Sequence, residues 1–180
     1  VPSTTISVRM NAAAAGTVSG NITHASSDAT AIHLAVTGNA NPAPAISVTG
    51  TFNPFTQILG QAGAAQNINV SGSNLGDNIA VTIPAGYEIS ANNGNSWSSG
   101  SLTLQRSGNT VPNTVISLRL NASVVGNAGG NMTLTSAGAN TLTIALTGAT
   151  VPRPAITVTQ NIGVFTQTFG TTPMIQQYTV

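Results

Sequence analysis

The sequence contains no cysteine and no lysine. Without thiols there is no disulfide framework, no thiolate metal site and no thiol nucleophile. Charge is almost missing too: charged residues make up 4% of the chain, against roughly 25% in an average soluble domain. The cations are Arg9, Arg106, Arg119 and Arg153, and the anions Asp28, Asp77 and Glu88. A net charge of +1 spread this thinly excludes nucleic acid as a partner, because a phosphate backbone is held by clustered basic side chains. Three scattered acids also fall short of the several oxygen ligands that calcium needs. No apolar run reaches the ~20 residues of a membrane-spanning helix, so no membrane span is expected. Aromatics are scarce, at 4%. Polarity comes from Ser, Thr, Asn and Gln, which hydrate a surface without much repulsion between neighbouring copies.

An internal repeat organises what is present. Displaced by 110 positions (residue 1 onto residue 111), residues 1–70 fall on residues 111–180 without a gap. Val1-Pro2 meets Val111-Pro112, and Ile6-Ser7-Val8-Arg9-Met10-Asn11-Ala12 meets Ile116-Ser117-Leu118-Arg119-Leu120-Asn121-Ala122. Thr37-Gly38 meets Thr147-Gly148, Pro44-Ala45-Ile46 meets Pro154-Ala155-Ile156, and Phe55-Thr56-Gln57 meets Phe165-Thr166-Gln167. Self-similarity at a fixed period marks an array, and this period suits one sandwich domain better than a solenoid rung. Pro42-Ala43-Pro44 and Pro152-Arg153-Pro154 read as stiff links between units. The expected division is the C-terminal part of one repeat at 1–41, a complete repeat at 42–149, and the N-terminal part of a following repeat at 150–180.

Alternation with period two runs through the complete unit. It covers Ile46–Val48, Ile68–Val70, Ile79–Ile83, Leu102–Leu104, Ile116–Leu120, Met132–Leu134 and Leu142–Leu146. Each run places apolar side chains on one face of a strand and polar ones on the other. Turn formers lie between, such as Ser73-Asn74-Leu75-Gly76, Asn92-Asn93-Gly94-Asn95 and Gly138-Ala139-Asn140. Seven such strands predict an all-β fold of immunoglobulin-like Greek-key β-sandwich repeats in tandem, each with a core about 10 Å thick. Ala12–Ala15 reads as a loop. The first part is expected to give the last three strands of a sandwich and the last part its opening two. Unpaired strand edges recruit partners. Two completions are open: a longer polypeptide whose neighbouring repeats supply the missing strands, or separate subunits that add strands to one another.

The order of the pieces resembles a family of Ig-like repeats in secreted and surface proteins of Bacteroidetes-type bacteria. The pieces are Pro44-Ala45-Ile46-Ser47-Val48, Val70-Ser71-Gly72-Ser73-Asn74-Leu75, Ile83-Pro84-Ala85-Gly86-Tyr87-Glu88-Ile89-Ser90, Ser101-Leu102-Thr103-Leu104, Leu118-Arg119-Leu120 and Leu146-Thr147-Gly148. The resemblance implies secretion to the extracellular space or cell surface, tandem architecture and a role as spacer or adhesin stalk. It implies no catalytic residue and no cofactor.

The residues able to carry chemistry are few. His24 and His33 fall on Leu134 and Thr143 in the repeat, so they read as ordinary strand residues. No nucleophile-elbow motif accompanies them. The chain is therefore expected not to be an enzyme, with no catalytic, cofactor-binding or metal-binding residues. Glu88 with Arg119, or else Arg106, is a candidate structural ion pair across neighbouring strands. Trp97 with Tyr87 is a candidate ligand platform for surface glycans; against it, Trp97 reads as a loop side chain folded over one end of the sandwich. Phe55, Phe165 and Phe169 are expected to cap cores at unit junctions.

The reading that these features favour is a structural repeat of an extracellular bacterial surface adhesin or filament, a rigid building block whose partners are other copies or adjacent repeats. A carbohydrate-binding module of a secreted hydrolase is the alternative.

Overall fold

Alternating strands separated by turn residues fold here into sheets alone. The computed structural model describes residues 3–159 and 162–180, and among them there is no helix. Eleven strands follow in order: β1 (Gly16–His24), β2 (Ile32–Ala40), β3 (Ala45–Thr49), β4 (Phe55–Ile58), β5 (Gln66–Ser73), β6 (Ile79–Thr82), β7 (Tyr87–Ser90), β8 (Ser101–Leu104), β9 (Val111–Leu120), β10 (Gly126–Thr135) and β11 (Leu142–Val151).

Strands β3 to β11 form two sheets. One has the order β3-β5-β9-β7; the other has the order β4-β11-β10-β6-β8. Every neighbouring pair is antiparallel except β4 and β11, which run parallel. Their inward faces meet in one core, as in a β-sandwich. Ile68, Val70, Ile89, Ile116, Leu118 and Leu120 come from the first sheet, and Phe55, Ile79, Val81, Met132, Leu134 and Leu146 from the second. Alternation puts these side chains on one face, and their removal from water drives the two sheets together.

Two strands lie beyond the seven alternating runs, and in each a buried polar residue hides the pattern, Gln57 by facing inward and Ser90 by lying under the loop that follows it. In β4 the buried pair is Phe55 and Gln57, with Thr56 outward. In β7 Tyr87, Ile89 and Ser90 are all buried.

The chain on either side is built differently. Among the described residues, strands β1 and β2 pair only with each other, as a two-stranded sheet. Their register repeats that of β10 and β11 pair for pair: Gly16 faces Ala40 as Gly126 faces Thr150, and His24 faces Ile32 as Leu134 faces Leu142. The turns correspond as well. Ala29 N–H donates to the Ser26 carbonyl as Ala139 N–H donates to that of Ser136. Asp28 takes a left-handed φ of 60° where Gly138 has 79°, a conformation that Asp tolerates better than most residues with a side chain.

The ends differ from expectation in one respect. Residues 6–12 form no strand, so the first part supplies two strands and not three; the described residues of 154–180 form none where two were expected. A strand is held by ladder hydrogen bonds to a neighbour, and none of the described residues pairs with these stretches. The apolar side chains there stay in water: Ile6 is 63% exposed and Met10 51%, whereas the repeat-equivalent Ile116 and Leu120 are both 0%.

Candidate functional site

Two places gather what the sequence singled out: a charged and aromatic cluster on β7 and β9, and an open sheet edge on β1 and β2.

In the first, pairing of β7 with β9 puts Glu88 directly opposite Arg119. The Arg119 Nη2 and Nε atoms lie 2.7 Å and 2.8 Å from the same carboxylate oxygen, Oε2. The other oxygen, Oε1, accepts from the Asn121 side-chain amide at 2.8 Å. The guanidinium therefore converges on one oxygen while Asn121 takes the second, unlike a two-oxygen fork. Partial burial pushes the Glu88 carboxyl upward, but the Asn121 and Arg119 hydrogen bonds and the Arg119 charge outweigh it. The net result holds the carboxyl below the ordinary glutamate value. Arg106 is engaged elsewhere, donating to the Leu75 and Gly108 carbonyls.

Arg119 also covers an aromatic face. Its guanidinium carbon is 4.1 Å from the Trp97 ring centroid, a stacked cation–π contact. The loop that carries Trp97 is tied to Ser90, whose buried hydroxyl donates to Asn92 Oδ1 at 2.7 Å and accepts from the Asn92 and Gly94 N–H groups. Asn92 Oδ1 in turn accepts from Ser96 N–H. A hollow of about 210 Å³ lies beside Trp97, between Ile89, Asn92 and Leu102.

The glycan platform is corrected by Tyr87. Its ring is 1% exposed, stacked edge-on against Phe55 with centroids 5.3 Å apart, and its hydroxyl donates to the Ala128 carbonyl at 3.2 Å. Alternation along β7 turns Tyr87 and Ile89 inward and Glu88 outward, so Tyr87 presents no face to a ligand. Burial also pushes its phenol pKa above the ordinary value. Phe55, expected at a unit junction, is 2% exposed and inside the core.

The histidines sit on the isolated hairpin. Thr23 faces His33, and their side chains are hydrogen-bonded at 2.9 Å. Among the described residues, no three of His, Asp and Glu come together as a metal set would.

The second place is the open edge. Among strands β3 to β11, β4 closes the β11 edge: Gly148, Ala149, Thr150 and Val151 pair with Phe55, Thr56, Gln57 and Ile58. A side chain at Gly148 would meet the Phe55 carbonyl at 2.9 Å, so glycine is required by the approach of that strand. Gln57 then clasps the other sheet, donating to the Ala122 carbonyl at 2.6 Å and accepting from the Ala122 N–H at 3.0 Å. On the hairpin, Gly38 stands where Gly148 stands, but among the described residues no strand other than β1 pairs with β2. The Met10 side chain lies over it, its sulfur 2.6 Å from where a Cβ would be. An open groove of about 450 Å³ runs between residues 8–12 and the hairpin, past Val18, Gly20, Val36 and Gly38. Sequence reasoning found the repeat but missed the role of Gln57, because a buried glutamine breaks the apolar pattern that marks a core position.

No family model matches the chain, and no curated protein matches it. Among solved structures, a CooA pilin subunit from enterotoxigenic Escherichia coli is similar over 63% of this chain and 100% of that chain, with 15% identity and a TM-score of 0.35. A likeness that loose fixes neither fold nor role.

Proposed function

We propose that the chain is a non-catalytic structural repeat of an extracellular, cell-surface filament or adhesin of a bacterium. In this reading residues 42–149 are one immunoglobulin-like Greek-key unit, 1–41 the closing part of another, and 150–180 the opening part of a third. The observation that carries the reading is the shared register of two hairpins 110 residues apart, down to the turn residue at positive φ. Two stretches that pair alike and align without a gap are two passes through one blueprint.

Other features support it. The order of short motifs from Pro44 to Gly148 resembles that of Bacteroidetes-type Ig-like repeats. A surface with 4% charged residues offers little repulsion between stacked units. The residues most able to do chemistry are occupied structurally: Glu88 holds Arg119, Arg119 covers Trp97, and Thr23 bonds His33. The end of β11 is held by β4, with Leu59 N–H donating to the Val151 carbonyl at 2.9 Å; proline on both sides of Arg153 stiffens the chain as it leaves the sandwich. The mechanism is mechanical: sandwiches joined by short, stiff links transmit load or project a tip.

Electron microscopy of the native polypeptide tests this. Beaded rods with one bead per repeat are expected, and dispersed single globules would overturn the proposal.

A further inference from the structure

We infer that the open edge of β2, together with residues 4–8, is the docking surface for residues 165–180 of a second copy, in the register that β4 and β5 use inside the complete unit. The inference rests on the repeat reading above and adds to it a partner, a surface and a register.

The acceptor side is prepared. Gly38 keeps the missing side chain that Gly148 needs to admit a backbone, although no backbone reaches it within the chain. The one atom group in the way belongs to Met10, an unbranched side chain that swings aside at little cost. The groove below it is lined by Val8, Met10, Val18 and Val36, and their repeat equivalents Leu118, Leu120, Ala128 and Leu146 are core or core-packed residues.

The donor side is equally unpartnered. Phe165 is 59% exposed where its equivalent Phe55 is 2%. Tyr178 and Val180 are exposed where Ile68 and Val70 are buried. Most other exposed large apolar side chains fall within residues 6–34 and 156–180, the exceptions being Val115, Val124, Val125 and Val151.

The register of the complete unit, moved by one repeat, fixes the joint. Pairing of Gly148 with Phe55 and Ala149 with Thr56 becomes Gly38 with Phe165 and Asn39 with Thr166, in parallel. Pairing of Leu118 with Gln66 and Ile116 with Ile68 becomes Val8 with Gln176 and Ile6 with Tyr178, antiparallel. Gln167 then clasps the Ala12 backbone as Gln57 clasps that of Ala122, giving up its present exposed bond to the Thr171 carbonyl. Residues 1–41 and 165–180 cover the positions equivalent to β4, β5, β9, β10 and β11, and not those of β6, β7 and β8. These lie together at one side of the sandwich, β6 and β8 ending one sheet and β7 the other.

Because the chain has no cysteine, cross-linking reads the register directly. Neighbouring strands lie about 4.8 Å apart, within reach of a disulfide. Chains carrying Asn39→Cys and Thr166→Cys are mixed and oxidised. The mixed dimer is expected to form about tenfold faster than with Ala35→Cys, four residues back on the same face of β2. Adding Gln167→Leu to the Thr166→Cys chain should slow the reaction about tenfold, since the Ala12 groups lose their partner. Equal rates at positions 35 and 39, or indifference to Gln167→Leu, would overturn the register. Faster closure within a single Asn39→Cys/Thr166→Cys chain at high dilution than between chains would overturn the second copy as occupant. Beaded rods without this cross-link would sink the joint but leave the proposed function standing; the cross-link without rods would do the reverse.

Discussion

Gln57 on β4 holds the Ala122 backbone, just beyond the end of β9, with both ends of its amide, donating to the carbonyl and accepting from the N–H. The two strands belong to different sheets, so this side chain bridges the sandwich at the edge where β4 joins. Gln57→Leu keeps the bulk but strands two backbone groups. A loss of about 2 kcal/mol is expected in denaturant unfolding of the chain. Gln57→Glu should cost at least as much at neutral pH, since a carboxylate has no N–H to offer the carbonyl. A midpoint unchanged in both variants would show that the clasp contributes nothing.

The ion pair on β7 and β9 predicts an acid limb. The folded Glu88 carboxyl ionises below the ordinary value, so its contribution is complete above the unfolded pKa of about 4.3. It is lost as pH falls through the lower folded value. The side chains are 20% and 26% exposed, and solvent screening limits the effect to roughly 0.5–1 kcal/mol. Glu88→Gln should lower stability at pH 7 by about that amount and flatten the dependence between pH 5 and 3. Trp97 emission should respond too, because Arg119 loses the carboxylate that aims it over the ring. A wild-type slope retained in the variant would assign the acid limb to another group.

Tyr87 predicts the alkaline limb. Its buried phenol has a raised pKa, so the neutral form is favoured by folding; that stability is whole below about pH 10 and is lost as pH rises toward the folded value. Tyr87→Phe removes the bond to the Ala128 carbonyl, for a cost of about 1 kcal/mol, and should make the profile above pH 10 shallower. Absorbance titration alongside circular dichroism checks whether phenol ionisation and unfolding coincide.

Much of this architecture was legible in the letters. Alternation marked the strands whose inward residues are uniformly apolar, such as β6, with Ile79 and Val81 buried and Ala80 and Thr82 outward. The displaced repeat located two hairpins that share a register. Legibility failed where a polar side chain finds its partner only in three dimensions. Gln57 in β4 and Ser90 in β7 are buried against backbone groups distant in sequence or folded into a loop. Tyr87 beside Glu88 looked like a surface aromatic, and one step along a strand reverses the face. Glu88 and Arg119 could be suspected from their strands, yet Asn121 as a third member required the register of β7 on β9.

Substitutions at sequence-equivalent positions 110 residues apart should differ sharply. Leu120 is fully buried and Met10 half exposed. Leu120→Ala should cost about 2–5 kcal/mol, whereas Met10→Ala should stay within about 0.5 kcal/mol in dilute solution. Similar costs in urea titrations would mean that residues 6–12 are already packed in solution, in conflict with the exposure of Ile6 and Met10.

Thr150 on β11 offers a gain. Its hydroxyl is buried without a hydrogen-bond partner, on the strand position paired with Gln57. The repeat equivalent is Ala40, which has no hydroxyl to satisfy. A buried, unpaired hydroxyl carries its desolvation cost uncompensated. Thr150→Val keeps the β-branched shape that suits a strand and exchanges the hydroxyl for a methyl group. The variant should be more stable by about 1 kcal/mol, seen as a higher urea midpoint with an unchanged slope. Thr150→Ala should gain less, because the lost methyl leaves space beside Gln57. If Thr150→Val instead destabilised the chain, the hydroxyl would have to be bonded in solution, most simply through a water held against β4.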